Sequence, residues 1–115
     1  MNQNTCVPGN LVYSVNTVAI NVTFQLMIND SIVYESAKFI NNNSFQEKII
    51  ITPYLKKGLN NFMLKVVALK PDNHDDVSLE SILKDDSHGI IVYHCTTTDR
   101  LHKNGNEELV FTLEL

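Results

Sequence analysis

The sequence contains no tryptophan, one arginine (Arg100) and two cysteines among its 115 residues. Two cysteines are too few for a disulfide scaffold or for a zinc site with four cysteine ligands. A single arginine argues against bidentate recognition of phosphates, and a net charge of −4 does not provide the basic surface that nucleic-acid binding requires. We therefore expect neither a nucleic-acid partner nor a cofactor.

Long apolar runs and glycine-rich loops are also absent from the sequence. Without a run of about 18 apolar residues, no membrane span is predicted. The four glycines stand apart from one another, so no phosphate-binding glycine loop is predicted. The N-terminus lacks the basic and apolar regions of a secretory signal, which predicts a cytoplasmic protein, or a periplasmic one if a leader has been removed.

Alternation of apolar and polar residues is the main feature that the sequence does have. With 43% hydrophobic and 19% charged residues, the chain is predicted to form one globular domain over residues 1–115. The clearest predicted strand covers residues 18–28, where apolar residues recur at period two. These residues are Val18, Ile20, Val22, Phe24, Leu26 and Ile28. Other predicted strands cover residues 11–15, 32–39, 45–52, 62–69, 88–97 and 108–113.

Two segments refine the predicted fold. Residues 62–69 are apolar on both faces, which predicts a central strand with cover on each side. Residues 78–86 are ambiguous, because Leu79, Ile82 and Leu83 have the i, i+3, i+4 spacing of a short helix. The whole pattern predicts an all-β fold: a single β-sandwich of about seven mostly antiparallel strands, jelly-roll or immunoglobulin-like, with at most one short helix.

One turn carries a family resemblance. The segment Thr52-Pro-Tyr-Leu-Lys-Lys-Gly58-Leu-Asn60 resembles the Thr-x-x-Leu-x-x-Gly-x-Asn turn of galactose-binding-like jelly rolls, as in the sugar-binding domain of β-galactosidase-type glycosidases. The hairpin predicted at Asn29-Asp30 matches that family's Asn-Gly hairpin in position, and the resemblance covers roughly residues 26–69. It implies a jelly-roll sandwich, and the family's functional residues are not carried over to this chain.

The residues of this turn have mechanical roles that their chemistry predicts. Thr52 and Pro53 start a single helical turn, and Leu55 fills the core. Gly58 reverses the chain with a positive φ, and Asn60 hydrogen-bonds the backbone of the loop itself.

The histidines and cysteines do not form a predicted catalytic or metal site. His94 and Cys95 are neighbours on one predicted strand, so their side chains point to opposite faces and cannot form a nucleophile pair. His88 and His94 share a predicted face but lie about 20 Å apart, too far to bind one metal. Cys6 and Cys95 either form a disulfide in an exported protein or remain thiols in the cytoplasm. We expect no enzyme activity and no metal.

The negative charge is concentrated in one segment, between Pro71 and His88, where Lys84 is the only basic residue. The acids of this segment are Asp72, Asp75, Asp76, Glu80, Asp85 and Asp86. An EF-hand loop starting at residue 72 would need Gly at 77 and Glu at 83, where this chain has Val77 and Leu83. An irregular calcium site and a plain solvated loop stay open as alternatives. The hypothesis we favour is a docking surface for a basic protein partner.

These observations predict a small non-enzymatic domain that works by binding a protein. The leading hypothesis is a bacterial immunity or inhibitor protein that neutralises a partner toxin through its acidic surface. One alternative is a carbohydrate-binding β-sandwich module, which the jelly-roll-like turn favours. Another is a structural or surface-assembly subunit whose exposed strand edges pair with neighbouring chains. The sequence does not predict the oligomeric state.

Overall fold

A computed structural model describes residues 12–36, 44–69 and 76–115. Within these ranges the chain forms two antiparallel four-stranded sheets, one 3₁₀ turn (Thr52–Tyr54) and one short α-helix, α1 (Asp99–Asn104). The strands are β1 (Tyr13–Ile20), β2 (Val22–Ile28), β3 (Ser31–Glu35), β4 (Ser44–Ile50), β5 (Leu59–Ala68), β6 (Ser78–Asp85), β7 (Ile90–Thr96) and β8 (Asn106–Glu114). The first sheet has the order β4-β1-β6-β7 and the second the order β3-β2-β5-β8. The all-β sandwich is confirmed, with eight strands in the described residues instead of about seven.

The chain changes sheets at Asn21. β1 pairs with β4 and β6 in the first sheet, and β2 pairs with β3 and β5 in the second. Asn21 has a φ of 54°, a left-handed conformation that asparagine tolerates better than most residues. Asn21 shifts the phase of the alternation between buried and outward-facing residues. The odd-numbered Ala19 is buried before it, and the even-numbered Val22 is buried after it. The prediction that Val18 and Ile20 continue the buried row of β2 is therefore wrong, because both face outward from β1.

The hydrophobic core lies between the two sheets and is built from alternate residues of the strands. In β5 the predicted inner face, Phe62, Leu64, Val66 and Ala68, is buried throughout. β8 buries the three residues predicted to face inward, Leu109, Phe111 and Leu113. The outer face of β5 differs from the prediction. Val67 is 49% exposed there, so the second layer of cover is not present among the described residues.

Residues 78–85 form a strand, and the predicted short helix at this position is wrong. β6 buries Leu79 and Leu83 but leaves Ile82 half-buried on the outer side, which is strand periodicity. β6 pairs along its length with β1 and with β7. Such ladders on both sides outweigh the weak intrinsic stability of a helix only two turns long. The one short helix of the described residues is α1, which lies between β7 and β8.

Helix α1 is held by polar contacts that the sequence did not predict. The backbone N–H and the hydroxyl of Thr98 each donate to the carboxylate of Glu107, at 2.8 Å. The Thr98 hydroxyl also accepts from the backbone N–H of Arg100 at 3.3 Å, which caps the helix N-terminus. Gly105, with a φ of 78°, ends the helix in the left-handed conformation. Leu101 is buried, so α1 closes one end of the sandwich.

The two lateral openings between the sheets are closed by tyrosines. On one side, the hydroxyl of Tyr34 in β3 donates to the Glu47 carboxylate of β4 at 2.9 Å. Burial, together with this contact, raises the pKa of Tyr34 to about 12. On the other side, the ring of Tyr93 in β7 stacks on Phe111 of β8, with 4.9 Å between the ring centroids. The edges of the two sheets are therefore linked to each other.

The turn before β5 has the mechanical features that its sequence predicted. Thr52–Tyr54 is a single 3₁₀ turn with Pro53 at its start, and Leu55 is buried in the core. Gly58 has a φ of 93°. The predicted β2–β3 hairpin is also present, with Asn29 and Asp30 both at positive φ.

The side chain of Asn60 makes five hydrogen bonds at this end of the molecule. The side chain is fully buried, and its oxygen accepts from the backbone N–H of Lys56 at 2.8 Å and from the Asn29 amide at 2.9 Å. Its amide nitrogen donates to the carbonyls of Lys56, Gly58 and Leu113 at 2.8 to 3.4 Å. One side chain therefore joins the turn, the β2–β3 hairpin and the end of β8.

Replacing Asn60 tests this role. In Asn60→Ala, buried backbone groups lose their partners, and we expect the free energy of unfolding to fall by about 3 kcal/mol. Asn61→Ala, an exposed neighbour on the same strand, is the matched control and should change stability by less than about 0.5 kcal/mol. Urea unfolding of both variants gives the comparison. Equal stability of the two variants would contradict the assigned role.

Candidate functional site

The acidic segment does not form one continuous surface in the described residues. Asp76 is exposed in the turn before β6, Glu80 is exposed on the outer face of the strand, and Asp85 and Asp86 lie at its far end. Ten residues of extended chain separate Asp76 from Asp86 by about 33 Å. Two of the predicted docking residues lie outside the described residues, namely Asp72 and Asp75. The structure thus brings Asp85 and Asp86 together but places Asp76 and Glu80 apart from them.

Three of these acids, Glu80, Asp85 and Asp86, have a histidine or lysine neighbour within the described residues. The Oε2 atom of Glu80 lies 2.8 Å from Nε2 of His94, on the adjacent strand β7. The Oδ2 atom of Asp86 lies 3.7 Å from the Lys48 ammonium, close enough for an ion pair but not for a hydrogen bond. Part of the local negative charge is therefore balanced within the molecule.

Asp85 organises the turn between β6 and β7. Its carboxylate accepts from the backbone N–H of His88 at 3.2 Å and lies 2.8 Å from the Nδ1 atom of the same residue. Burial acts to raise the pKa of Asp85, but the contacts from His88 and the backbone of Ser87 outweigh it, so the pKa is lowered. His88 belongs to this turn and not to β7, so the prediction that His88 and His94 share a strand face is wrong.

The lowered pKa of Asp85 predicts a specific pH dependence of stability. The stabilisation is complete above the ordinary carboxyl pKa of 3.8 and is lost as the pH falls through the lower folded value. Asp85→Asn should therefore be less stable than the parent at pH 7, and it should lose less stability between about pH 4 and pH 2. Urea unfolding across this range measures both effects, with Asp99→Asn on the exposed helix α1 as control. If the free energy of unfolding fell with pH in the same way for the parent and for Asp85→Asn, the assigned contact would be ruled out.

Cys95 and His94 point to opposite sides of β7, as predicted. His94 faces outward to Glu80, and Cys95 packs half-buried against the core as a free cysteine. Burial raises the pKa of the Cys95 thiol to about 11, so at neutral pH the thiol is protonated and a weak nucleophile. Cys6, the other member of the considered disulfide, lies outside the described residues.

The described residues contain neither a cluster of metal ligands nor a membrane-spanning helix. Over residues 12–36, 44–69 and 76–115, no three His, Cys, Asp or Glu side chains come together as a metal site would require. None of the helices in these ranges is long and apolar enough to cross a membrane. The calcium hypothesis concerned residues 72–76, of which only Asp76 is described.

The edge strand β7 is the most unusual surface of the molecule. It pairs with β6 on one side, and no described strand pairs with its other side. Four consecutive apolar side chains, Ile90–Tyr93, are between 39% and 59% exposed. The other edge strands, β3, β4 and β8, each contain glutamate, whereas β7 contains no Asp, Glu, Lys or Arg. Charged residues on an edge normally prevent pairing with other chains, and β7 lacks this protection.

An aromatic row fixes β7 in place. The ring of Tyr93 stacks on Phe111, and Phe111 stacks on Phe62, with 4.9 Å between centroids in both pairs. Phe62 is fully buried and Tyr93 is 41% exposed, so the row runs from the core to the surface. The exposed edge is therefore attached to the packed interior.

A groove crosses the outer face of the second sheet. Strand register aligns Ile32, Met27, Met63 and Val110 in one apolar row across the four strands. The groove has a volume of about 430 Å³, and its lining also includes three polar and three aromatic residues. These are Asp30, Asn61 and Thr112, with Phe62, Tyr93 and Phe111. The groove lies on the face of β5 for which the sequence predicted cover.

Sequence reasoning missed both surfaces for the same reason. The signal for β7 was available, because residues 90–93 are an uninterrupted apolar run. Only the pairing of distant strands, however, makes β7 an edge and leaves the outer face of β5 open. Neither fact is contained in the local pattern.

Comparisons with known proteins identify no relative of this chain. The chain matches no family model, no curated protein and no solved structure. The resemblance of the turn at residues 52–60 to galactose-binding-like jelly rolls stays a prediction. A functional proposal therefore depends on the surfaces of this chain.

Proposed function

We propose that this protein is a small non-enzymatic binding domain that recognises another protein through the edge of β7. The observation that carries the proposal is the combination of an edge with which no described strand pairs, four exposed apolar side chains and no charged residue. Such an edge offers backbone N–H and C=O groups to an added strand, which supply affinity, while alternate side chains supply specificity.

The two protein-binding roles that the sequence predicts, an assembly subunit and an immunity protein, are not equally well supported by the described surfaces. A structural or surface-assembly subunit would use an open strand edge directly. An immunity protein that covers a basic toxin would use the acidic segment as well. That segment gives less support, because Glu80, Asp85 and Asp86 each lie against a histidine or lysine of the same chain.

The proposal is tested by charging the edge. Val92→Lys places an ammonium on β7, where it should prevent strand addition without disturbing the core. Val110→Lys makes the same change on the exposed face of β8, the edge strand of the other sheet. A partner captured by the parent should be purified, and its binding should protect the β7 amides from hydrogen exchange. We expect the affinity for this partner to fall about tenfold more in Val92→Lys than in Val110→Lys. Equal loss in the two variants, or protection elsewhere than β7, would contradict the proposal.

The groove on the second sheet favours a second candidate function, carbohydrate binding. Sugar sites combine an aromatic ring with polar groups, and this groove contains Tyr93 with Asp30, Asn61 and Thr112. A sugar binder should give a saturable change in tyrosine fluorescence with a glycan of the panel tested. Tyr93→Leu should abolish that change, and Tyr54→Leu, which removes another exposed tyrosine, should preserve it. No response to any glycan of the panel would count against this function.

A further inference from the structure

We infer that the groove on the outer face of the second sheet binds a basic amphipathic helix, a helix with apolar residues on one side and Lys or Arg beside them. The groove is separate from the unpaired side of β7, so the inference does not depend on strand addition at that edge. It also gives the groove a different class of ligand from the neutral sugar considered above.

An apolar row forms the floor of the groove. Met27, Met63 and Val110 are aligned across β2, β5 and β8, and Ile32 extends the row onto β3. Val110 is 63% exposed and Ile32 is 54% exposed, while the two methionines are half-buried. Methionine side chains adapt their shape to different ligands. An exposed apolar patch of this kind, rimmed by polar residues, is typical of a binding surface.

The side chains on the two flanks of this apolar row carry a net negative charge. On one flank, Asp30 lines the groove beside Asn61 and Thr112. The other flank is the next row of outward-facing side chains across the four strands, Glu35, Gln25, Lys65 and Glu108. Together the flanks contain three acids and one base. A cationic ligand therefore complements this surface.

The three flanking acids are not balanced by contacts within the described part of the chain. There, Asp30, Glu35 and Glu108 form no ion pair, unlike the acids of β6 and of the turn that follows it. The carboxylate of Glu35 accepts a hydrogen bond from the amide of Gln25 at 3.2 Å, which places it beside the apolar row. The described lining of the groove contains no Lys, Arg or His. A positive ligand thus gains an attraction that a neutral sugar does not.

The position of the groove on a sheet face favours a helix as its ligand. β2 and β5 are paired on both sides, so strand addition is not available here. An extended peptide lying across the apolar row would cover its own unpaired backbone groups, which costs free energy. An α-helix pairs its backbone internally and presents side chains to a groove. The row crosses three strand spacings, about 14 Å, the length of a helix of roughly nine residues.

Synthetic peptides of about 15 residues test the class of ligand. The first has Leu on one helical side and Lys beside it, the second has Glu in place of each Lys, and the third is the first with its order scrambled. Fluorescence anisotropy at low salt should show the basic amphipathic peptide binding at least about tenfold more tightly than the other two, with a preference that shrinks as salt rises. Equal binding of the three peptides, or no binding of the first at millimolar concentration, would overturn the inference.

Removing the flanking charges tests the origin of the attraction. The triple variant Asp30→Asn, Glu35→Gln, Glu108→Gln should bind the basic peptide about tenfold more weakly at low salt and about as well as the parent at high salt. Asparagine tolerates the φ of 68° at residue 30, so the hairpin is expected to fold normally. An unchanged circular dichroism spectrum would verify this. Unchanged affinity at low salt would contradict the role of the three acids.

A matched control removes three acids that belong to the first sheet and its turns. The variant Asp76→Asn, Glu80→Gln, Asp86→Asn has the same net charge as the groove variant but leaves the groove intact. Its affinity for the basic peptide should stay within about twofold of the parent value. If this variant lost as much affinity as the groove variant, net charge and not the groove would account for binding, and the inference would be wrong.

Methionine methyl groups report where the peptide binds. The sequence contains three methionines, and two of them, Met27 and Met63, line the groove. In the isotopically labelled full chain, the basic peptide should shift the methyl signals of both, which Met27→Leu and Met63→Leu assign. Peptide binding that leaves both signals unchanged would overturn the inference. A glycan that shifts them when the basic peptide does not would assign the groove to a sugar instead. Protection of the β7 amides is a separate measurement, so strand addition at β7 stands or falls independently.

Discussion

The positive φ of Asn21 is the constraint on which the rest of the architecture depends. It turns one long apolar segment into two strands of different sheets, so that β1 lies inside the first sheet and β2 inside the second. With these two positions fixed, β6 takes the free side of β1, and β5 takes the free side of β2. The last strands, β7 and β8, are then left at the edges. The exposure of β7 is thus a consequence of where the chain changes sheets.

Buried polar contacts close the sandwich at the positions where strands end. Asn60 hydrogen-bonds the backbone of the turn before β5, and the Glu107 carboxylate accepts a hydrogen bond from Thr98, the residue that caps helix α1. Leaving such buried groups without partners would cost about 1 to 3 kcal/mol each, so these contacts favour a single arrangement of the ends. The β7 edge is stabilised differently, by the stacking of Tyr93 on Phe111. The exposed strand is therefore presented in a fixed geometry, which lowers the entropic cost of adding another strand to it.

Local chemistry made much of the fold predictable from the sequence. The inner faces of β5 and β8 follow from period-two alternation, and the turn with Gly58 and Asn60 follows from the conformational and hydrogen-bonding properties of those two residues. Asn21 was not identified, because a single left-handed residue changes the phase of the pattern without interrupting it. The strand β6 was misread because its pairing with β1 and β7 depends on residues far away in the sequence. The candidate surfaces needed the same long-range information.

The contrast between the acidic segment and β7 explains which surface is the better candidate for binding. In the described part of the chain, Glu80, Asp85 and Asp86 already have partners, and a new ligand would compete with contacts that the fold provides. No described strand pairs with the outer edge of β7, and the apolar side chains of β7 are exposed to water. Covering them would gain roughly 25 cal/mol for each Å² of apolar surface and would also pair the open backbone groups. An edge without charged residues makes a monomer prone to association, and a protein retains such an edge at lower risk when a specific partner covers it.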